Sequence, residues 1–360
     1  MFSHTLKKNI RVGSLTTLHG VINTPCYVPV ATNAVIKTCD SEIIDEIGID
    51  LLFVNTYHML VHPGDSIIKN AGGIHAFMNR KESIITDSGG FQIFSLLYGG
   101  VAQEIKSKGM KKTTQSVIKL SEEGVLFRSY RNGEQIFISP ESTIQAQQNI
   151  GSDIIIPLDE LLPFHIDIEK FKKSFDKTHR WQKRSFIEHK KAKNNQLIYG
   201  VVHGSIYPDY RQKSVHELLK DEWDGFAIGG SLGRNTSEAI EVLKETIKHL
   251  PPEKPRHLLG ISDLETIKIA IELGIDTFDS AYATKCARHG WLFEENGAIK
   301  ITQSKWKNVH EKISNAPRLK NYTAAYLHHL FKSHEQTAGM LASIHNIWYL
   351  NEFCKKMRNI

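Results

Sequence analysis

The sequence contains few cysteines, and they lie far apart. Only four occur among its 360 residues, Cys26, Cys39, Cys286 and Cys354, and no two form a Cys-x-x-Cys pair. A disulfide framework would need more cysteines at closer, more regular spacings. We therefore interpret these four as buried or incidental thiols of a protein that stays in a reducing compartment.

Long apolar runs are missing as well. No stretch reaches the roughly 20 residues that cross a bilayer, and the N-terminal residues lack the apolar centre of a signal peptide. The net charge of +6 is mild, so it permits a polyanionic partner without requiring one. These absences predict a cytoplasmic protein with no membrane contact.

The sequence does contain eight short apolar runs, with segments of helical period between them. Because the runs are apolar throughout, they suit parallel strands buried on both faces. Alternating strands and helices predict a (β/α)8 TIM barrel, as one domain over residues 1–360. A doubly wound open sheet is the alternative, but no glycine fingerprint follows the first run. The runs are Cys26–Thr32, Leu51–Thr56, Ser83–Ser88, Asp153–Glu160, Leu197–Gly204, Gly225–Gly230, His257–Ser262 and Ile275–Ser280. The helical segments are Glu42–Ile47, Thr143–Ile150, Ile168–His189, Tyr210–Lys220, Ser237–His249 and Asp263–Leu273.

Two regions depart from a plain barrel. Residues 90–150 form an insertion after the third strand, and strand-like runs on either side of Asn132-Gly133 predict a hairpin within it. Residues 292–360 form a C-terminal helical subdomain, with a helical pattern from Tyr322. The insertion also carries Lys106, Lys108, Lys111 and Lys112.

Polar residues end most of the eight runs. In a barrel these ends meet at one rim, where active sites are built. A single acidic residue after a strand is commonly a helix N-cap, but three acidic ends beside glycines favour a functional site. The ends are Asn55-Thr56, Asp87-Ser88, Asp159-Glu160, His203-Gly204, Gly229-Gly230 and Asp279-Ser280.

Several longer strings resemble the tRNA-guanine transglycosylases, also called queuine tRNA-ribosyltransferases. They are DSGGFQIFSL at 87–96, NTYHMLVHPG at 55–64, GFAIGGSLG at 225–233, AAYLHHLF at 324–331 and ASIHN at 342–346. The similarity runs in order along nearly the whole chain. It implies exchange of the wobble guanine of tRNAs with a GUN anticodon for a 7-deazaguanine base.

The resemblance also implies a catalytic pair. Asp279, in the FDS motif, would be the nucleophile, and Asp87, in DSGGF, would accept and donate protons. A carboxylate can attack the anomeric carbon as the purine leaves, and a second base can then displace the enzyme from the ribose. The alternative interpretation is that each aspartate caps the element after its strand.

Base recognition follows from the same motifs. Asp159 would accept hydrogen bonds from the base, Phe91 would stack on it, and His203 stands where the family usually has glutamine. The full predicted base-binding set is Ser88, Gly89, Gly90, Phe91, Asp159, Leu161, His203, Gly229, Gly230, Ser231 and Gly233.

The pocket differs from that of bacterial family members. Leu161 replaces their cysteine, and Ser231-Leu232-Gly233 replaces the start of their Leu-Ala-Val-Gly-Glu string. A glycine in place of valine removes side-chain volume, and eukaryotic members resemble this chain here. We therefore expect queuine to be favoured over its smaller bacterial precursor.

A basic pair follows the eighth strand. Lys285 and Arg288 match the family residues that hold phosphates beside the wobble nucleotide, although the family more often has arginine first. The alternative is a solvated helix end, and the lysine-rich segment 170–193 is interpreted as a solvated helix face. The predicted tRNA-binding set is Gly260, Asp263, Thr284, Lys285, Cys286, Ala287 and Arg288.

The family's zinc motif is degenerate. Its three cysteines align with Ser314, Ala316 and Leu319, and only the histidine ligand survives, as His345. Since a structural Zn²⁺ needs about four N or S ligands, the sequence predicts no metal or other cofactor, with His345 as a remnant.

Three other functions remain open. The chain could be a non-catalytic partner subunit of a transglycosylase, although both catalytic aspartates are present. It could insert deazaguanine into DNA, or act elsewhere in tRNA as archaeosine enzymes do. The resemblance further implies a homodimer.

Overall fold

The computed structural model describes residues 1–98, 116–163, 165–192, 194–261 and 263–360. Some residues named in the sequence analysis lie outside these ranges. They are the insertion lysines Lys106, Lys108, Lys111 and Lys112, the last residue of the lysine-rich segment, Lys193, and the last residue of the seventh apolar run, Ser262.

Eight parallel strands form one sheet that closes on itself. Strands 1 and 2 complete the circle through a parallel bridge between Val30 and Phe53, and the Ala31 N–H donates to the Phe53 carbonyl at 2.7 Å. The predicted (β/α)8 barrel is therefore confirmed. In chain order, barrel strands 1 to 8 are Cys26–Pro29, Leu51–Val54, Ser83–Thr86, Ile154–Ile155, Leu197–Val202, Gly225–Ile228, Arg256–Leu258 and Thr277–Ser280.

The strands are apolar on both faces because both faces are covered. Val28 and Val201 belong to a cluster inside the barrel, whereas Tyr27 and Phe278 pack outward with the helices. Side chains alternate along a strand, so Thr277 and Asp279 of strand 8 face the interior on either side of Phe278. This alternation places Asp279 inside the barrel near the carboxyl end of its strand.

The six predicted helices all occur, with ends shifted by a few residues. Several start at a side-chain cap: Asp40, Asn235 and Asp263 each accept from a backbone N–H three residues on. Among the described residues, no helix is both long and apolar enough to span a bilayer. The helices are Ser41–Ile47, Thr56–Val61, Asp65–Asn70, Ile74–Phe77, Gly90–Tyr98, Pro140–Ile150, Ile168–Lys191, Pro208–Leu218, Thr236–Ile247, Leu264–Glu272, Tyr282–Arg288, Ala324–Lys332 and Gln336–Arg358.

The insertion contains a three-stranded antiparallel sheet of Val117–Leu120, Val125–Arg128 and Gln135–Ile138. The predicted hairpin joins the last two strands, and Gly133 in its turn has φ 75°. The helix Pro140–Ile150 follows and packs on the barrel helix Ile168–Lys191. The last part of residues 90–150 therefore belongs to the barrel wall.

An N-terminal sheet covers the amino end of the barrel, and it was not predicted. Its three antiparallel strands are Phe2–Lys7, Ile10–Thr17 and Gly20–Thr24. Arg11 anchors it through an ion pair with buried Asp276, whose carboxylate lies 2.8 Å from the Arg11 Nε. This sheet does not cover the carboxyl end of the barrel, where the candidate site lies.

The C-terminal region has its own small apolar cluster and also shares one helix with the barrel core. It starts with a hairpin of Trp291–Glu294 and Gly297–Lys300 and has short 3-10 helices at Ser304–Trp306 and Leu319–Asn321. The helix Gln336–Arg358 packs against strand 1, and its apolar residues from Ile344 onward belong to the same core as the outer barrel face. Its earlier apolar residues belong to a separate C-terminal cluster.

Candidate active site

Asp279 ends inside the mouth of the barrel, at 7% exposure. Its Oδ1 accepts from the Gly260 N–H at 3.0 Å and lies 3.3 Å from Nε2 of His257. Among the described residues, Oδ2 has no hydrogen-bond partner. One carboxylate oxygen is therefore held, and the other is available to a ligand.

Asp87 lies across the mouth, after strand 3. Asn55 donates to its Oδ2 at 2.8 Å, and the Thr56 N–H donates to its Oδ1 at 2.9 Å. Burial raises the pKa of Asp87 to about 6, against the lowering effect of these donors, and the charge of Asp279 raises it further. Asp87 can therefore exchange a proton near neutral pH.

Asp159 and His203 form a buried polar pair on the next strands. His203 Nε2 lies 2.9 Å from Asp159 Oδ2, and a Cβ added to Gly230 would touch the His203 ring at 3.4 Å. A Cβ on Gly90 would overlap Asp159 Oδ1. Only glycine lets the helix that starts at Gly90 approach Asp159 this closely.

The residues around Gly90 differ in exposure. Ser88 is buried at 2%, whereas the Phe91 ring is 46% exposed. Gly89 has φ 96°, and a Cβ there would lie 3.1 Å from Tyr57 Cβ. An exposed aromatic face beside buried polar groups is suited to stacking on a flat ligand.

Arg211 organises the loop after strand 6. It is 1% exposed and donates to the carbonyls of Gly229 at 2.8 Å and Ser231 at 2.9 Å. Burial lowers the pKa of Arg211 to about 9. The loop backbone at Gly229, Gly230 and Ser231 is thus fixed beside His203.

Gly233 has a conformational role. Its φ is 102°, and a Cβ added there would lie 2.6 Å from Glu238 Cβ. Glu238 fills this position because it accepts from the Arg234 N–H at 2.7 Å. The expectation that Gly233 enlarges the base pocket therefore receives no support from the geometry.

Leu161 is half-buried. A small cavity beside His203, Gly230 and Ser231 is lined by Leu162, which sequence comparison did not single out, and not by Leu161. Glu160, the other acidic residue of this strand end, pairs with Lys177 at 3.0 Å.

The predicted tRNA-binding residues lie beside the mouth on the helix Tyr282–Arg288. Lys285 is exposed, whereas Thr284 and Ala287 are buried and Cys286 is half-buried. Within the described ranges neither Lys285 nor Arg288 forms an ion pair. Arg288 is half-buried, and its Nη1 atom is buried without a hydrogen-bond partner. Two uncompensated cations can receive phosphate groups.

The polar groups of the other two predicted tRNA-binding residues, Gly260 and Asp263, already form hydrogen bonds within the protein. The Gly260 N–H is committed to Asp279, and Asp263 caps the helix Leu264–Glu272 through the Thr266 N–H at 2.8 Å. Neither contact would survive unchanged if these groups bound RNA directly.

The degenerate zinc positions form a hydrogen-bonded, apolar cluster. His345 Nε2 lies 2.8 Å from the Phe293 carbonyl, so it must donate, and Ser314 Oγ then donates to Nδ1 at 2.7 Å. Burial lowers the pKa of His345 to about 4. Ala316 and Leu319 are fully buried among apolar side chains. These residues do not fit Zn²⁺, because only one is a ligand and both its nitrogens are occupied.

We expect the purified protein to contain no stoichiometric zinc and to keep its melting temperature in a chelator. The Ser314–His345 bond and apolar packing provide the stability that a metal would otherwise give. Elemental analysis with thermal melting, with and without chelator, checks this. One equivalent of zinc whose removal unfolds the chain would contradict it.

A second group of metal-ligand types lies at the amino end of the barrel. His19, His75 and Asp153 bring ligand atoms within 4.8 Å of one another. The two imidazoles stack with 3.5 Å between centroids and 15° between planes, so their lone pairs run parallel instead of converging. Asp153 already accepts from the Ile84 N–H at 2.8 Å. We interpret the group as a structural network.

Three site residues had no assigned role in the sequence. In the sequence, Asn55 is only a polar residue after an apolar run, and Arg211 is only part of a segment with helical period. His257 is a fully buried histidine in the three-residue strand Arg256–Leu258. The available signal for it is its place at the start of the largely apolar run His257–Ser262.

Comparison with known proteins gives one consistent result. The family model of queuine tRNA-ribosyltransferases matches residues 7–360. The queuine tRNA-ribosyltransferase of Protochlamydia amoebophila is 49% identical over 98% of this chain and 92% of its own length. Those of Chlamydia caviae and Chlamydia felis are 50% and 49% identical, each over 98% of this chain and 95% of their own length.

Proposed function

Since the chain belongs to the queuine tRNA-ribosyltransferase family, whose members are pentosyltransferases that act on tRNA, we propose that this chain catalyses a base exchange on tRNA. The wobble guanine of tRNAs with a GUN anticodon is replaced by a 7-deazaguanine through a covalent aspartyl-ribose ester. The observation that carries this proposal is the pair of carboxylates in one mouth: Asp279 with a free oxygen, and Asp87 with a pKa of about 6.

In the first displacement, Asp279 Oδ2 attacks C1′ of the ribose. The bond from C1′ to the purine nitrogen breaks, its electrons go to the base, and protonated Asp87 donates a proton to the departing guanine. The ribose is then esterified to Asp279, and Asp87 is ionised.

In the second displacement, the incoming base attacks C1′ and releases the Asp279 carboxylate. Asp87 takes the proton that the base loses, which restores the starting protonation state. Two displacements at one carbon retain its configuration, as in retaining glycosidases.

The base is held by the polar groups around Asp159. The Asp159 carboxylate accepts from the base amine and ring N–H, and His203 and the Gly230 N–H meet its other polar edge. Phe91 stacks on the base face. Since Asp159 also contacts His203 at 2.9 Å, the two side chains are positioned together.

The phosphates beside the wobble nucleotide are bound by Lys285 and Arg288. Both cations lack an ion-pair partner within the described ranges, so binding phosphate breaks no existing pair. Assembly as a homodimer, which the family resemblance implies, stays a prediction.

Queuine is proposed as the preferred incoming base. The relatives are named for queuine, and the loop beside the cavity carries the small residues Gly230 and Ser231. The matched probe is Ser231→Leu, which restores the bacterial residue. An obstructing side chain typically lowers the relative rate about ten- to a hundredfold. Gly233→Val is unsuitable, because φ 102° and Glu238 would strain it.

The test is release of labelled guanine from the wobble position of a GUN tRNA. We expect release from the tRNA, faster with queuine than with its aminomethyl precursor. We expect little release from a tRNA that is labelled at guanines outside the wobble position, or from DNA of the same sequence. Ser231→Leu should slow queuine exchange and spare guanine exchange. Preference for the precursor would contradict the choice of base, and inactivity with every tRNA would indicate a non-catalytic subunit.

A further inference from the structure

We propose that His257 positions the nucleophile: it holds Oδ1 of Asp279 and thereby leaves Oδ2 to attack the ribose. This inference rests on the proposed function. It assigns a role to a buried histidine of barrel strand 7, which is 0% exposed and lies against the catalytic carboxylate.

The strand register brings His257 to this position. His257 pairs with Thr277 across strands 7 and 8, and both side chains face the barrel interior together with Asp279. His257 Nδ1 lies 2.8 Å from Thr277 Oγ1, and Nε2 lies 3.3 Å from Asp279 Oδ1. The Phe53 ring stacks parallel to the imidazole, with 14° between the planes. The ring is therefore held at both nitrogens and on one face.

The partners determine which nitrogen carries the proton. An ionised Oδ1 can only accept, so Nε2 must be the donor. In the neutral ring Nδ1 is then an acceptor, and it receives the Thr277 hydroxyl proton. Thr277, His257 and Asp279 thus form one directed chain of hydrogen bonds that ends on the nucleophile.

Holding one oxygen matters because the two oxygens of a carboxylate are otherwise equivalent. The Gly260 N–H and His257 both donate to Oδ1, whereas Oδ2 has no partner among the described residues. Rotation that exchanged the oxygens would break two hydrogen bonds. The free oxygen is therefore the one that faces the ribose.

The same donors act in both displacements. In the ester, Oδ1 is the carbonyl oxygen and stays beside Gly260 and His257. When the second base displaces the carboxylate, negative charge returns partly to Oδ1, where the two donors stabilise it. The 3.3 Å distance is long for a hydrogen bond, and such contacts often tighten only when substrate is bound.

The test compares His257→Gln with His257→Asn. The two side chains carry the same amide, but only glutamine reaches the place of Nε2. We expect Asn to slow both ester formation and ester breakdown about ten- to a hundredfold, with the Kd for tRNA unchanged. Glutamine should restore most of the rate. Single-turnover adduct kinetics and tRNA binding give these quantities.

Equal losses in the two variants, or a loss that appears in tRNA affinity instead of rate, would overturn the proposal. If neither His257 variant folds, a comparison of Thr277→Val with Thr277→Ser tests the proposal instead, because serine keeps the hydroxyl that orients the His257 ring. Slow ester formation with Val and near-normal formation with Ser supports the proposal. Equal rates contradict it. If His257→Gln and wild type are both inactive on every tRNA, the proposed function has failed, which is a separate outcome.

Discussion

Asp279→Asn is expected to abolish the denaturation-resistant adduct between enzyme and tRNA and to slow base exchange at least about ten-thousandfold. The amide is nearly the same size and can keep the Gly260 N–H contact through its oxygen, but its nitrogen is no nucleophile. Denaturing electrophoresis with labelled tRNA measures the adduct. Thermal melting and tRNA binding should stay close to wild type. An adduct that persists in this variant would mean that another residue attacks the ribose.

Asp276→Asn is the matched control, because Asp276 lies three residues before Asp279. It faces the amino end of the barrel, where it pairs with Arg11 and accepts from the Arg256 N–H. Removing its charge leaves Arg11 without a carboxylate partner, so we expect a lower melting temperature. Adduct formation should persist at temperatures where this variant is folded.

Asp87→Asn is expected to slow exchange about a hundred- to ten-thousandfold, the usual contribution of a general acid and base. It should also remove a pH dependence. Burial raises the pKa of Asp87 to about 6, so the carboxyl is protonated below pH 6. Formation of the ester needs the protonated form and should fall about tenfold per pH unit above pH 6. Breakdown of the ester needs the carboxylate, so it should rise through pH 6 and then level off.

This prediction is checked by measuring the single-turnover rates of the two displacements between pH 5 and 8, at intervals of about half a pH unit. Both inflections should vanish in Asp87→Asn, and inflections that survive would assign them to another group. The linkage gives a second readout. A raised pKa means that the folded state binds its proton more tightly, so stability is lost as pH rises through 6. Asp87→Asn should therefore not lower the melting temperature at pH 7.

The barrel could be predicted because several of its strands are continuous apolar runs that alternate with helical segments. Runs such as Leu51–Val54 and Gly225–Ile228 are buried at every residue, as parallel strands covered on both faces are. The N-terminal sheet could not, since Phe2–Lys7 is largely exposed. It is held to the barrel by Arg11 and Asp276, residues 265 positions apart, and such pairing leaves no local trace in the sequence.

The positions of Asp87 and Asp279, the proposed catalytic aspartates, could be predicted because both residues lie at strand ends and stand in long family strings. The contacts of the residues around these aspartates could not be predicted, because they depend on backbone geometry and strand register. The direction of a Cβ at Gly233, towards Glu238, follows from a φ of 102°. The proposed role of His257 depends on strand register, which places it beside Thr277 and hence beside Asp279.

The sequence shows that the zinc ligands are lost, but it does not show which contacts take their place. Ser314, which stands where the family has a cysteine, donates to His345 at 2.7 Å. The retained histidine thus has a hydrogen-bonding role. Its lowered pKa, about 4, keeps the ring neutral at physiological pH, as this arrangement requires.

We propose that Asp279 carries the ribose in the covalent intermediate. The most direct test of this proposal is to trap the adduct with a wobble-guanine tRNA, digest it with nuclease and trypsin, and locate the added ribose phosphate, which has lost its base, by fragmentation mass spectrometry. We predict the modification on the peptide that ends at Lys285, at Asp279 and not at Asp276. A ribose phosphate on Asp87, or on any other residue, would contradict it.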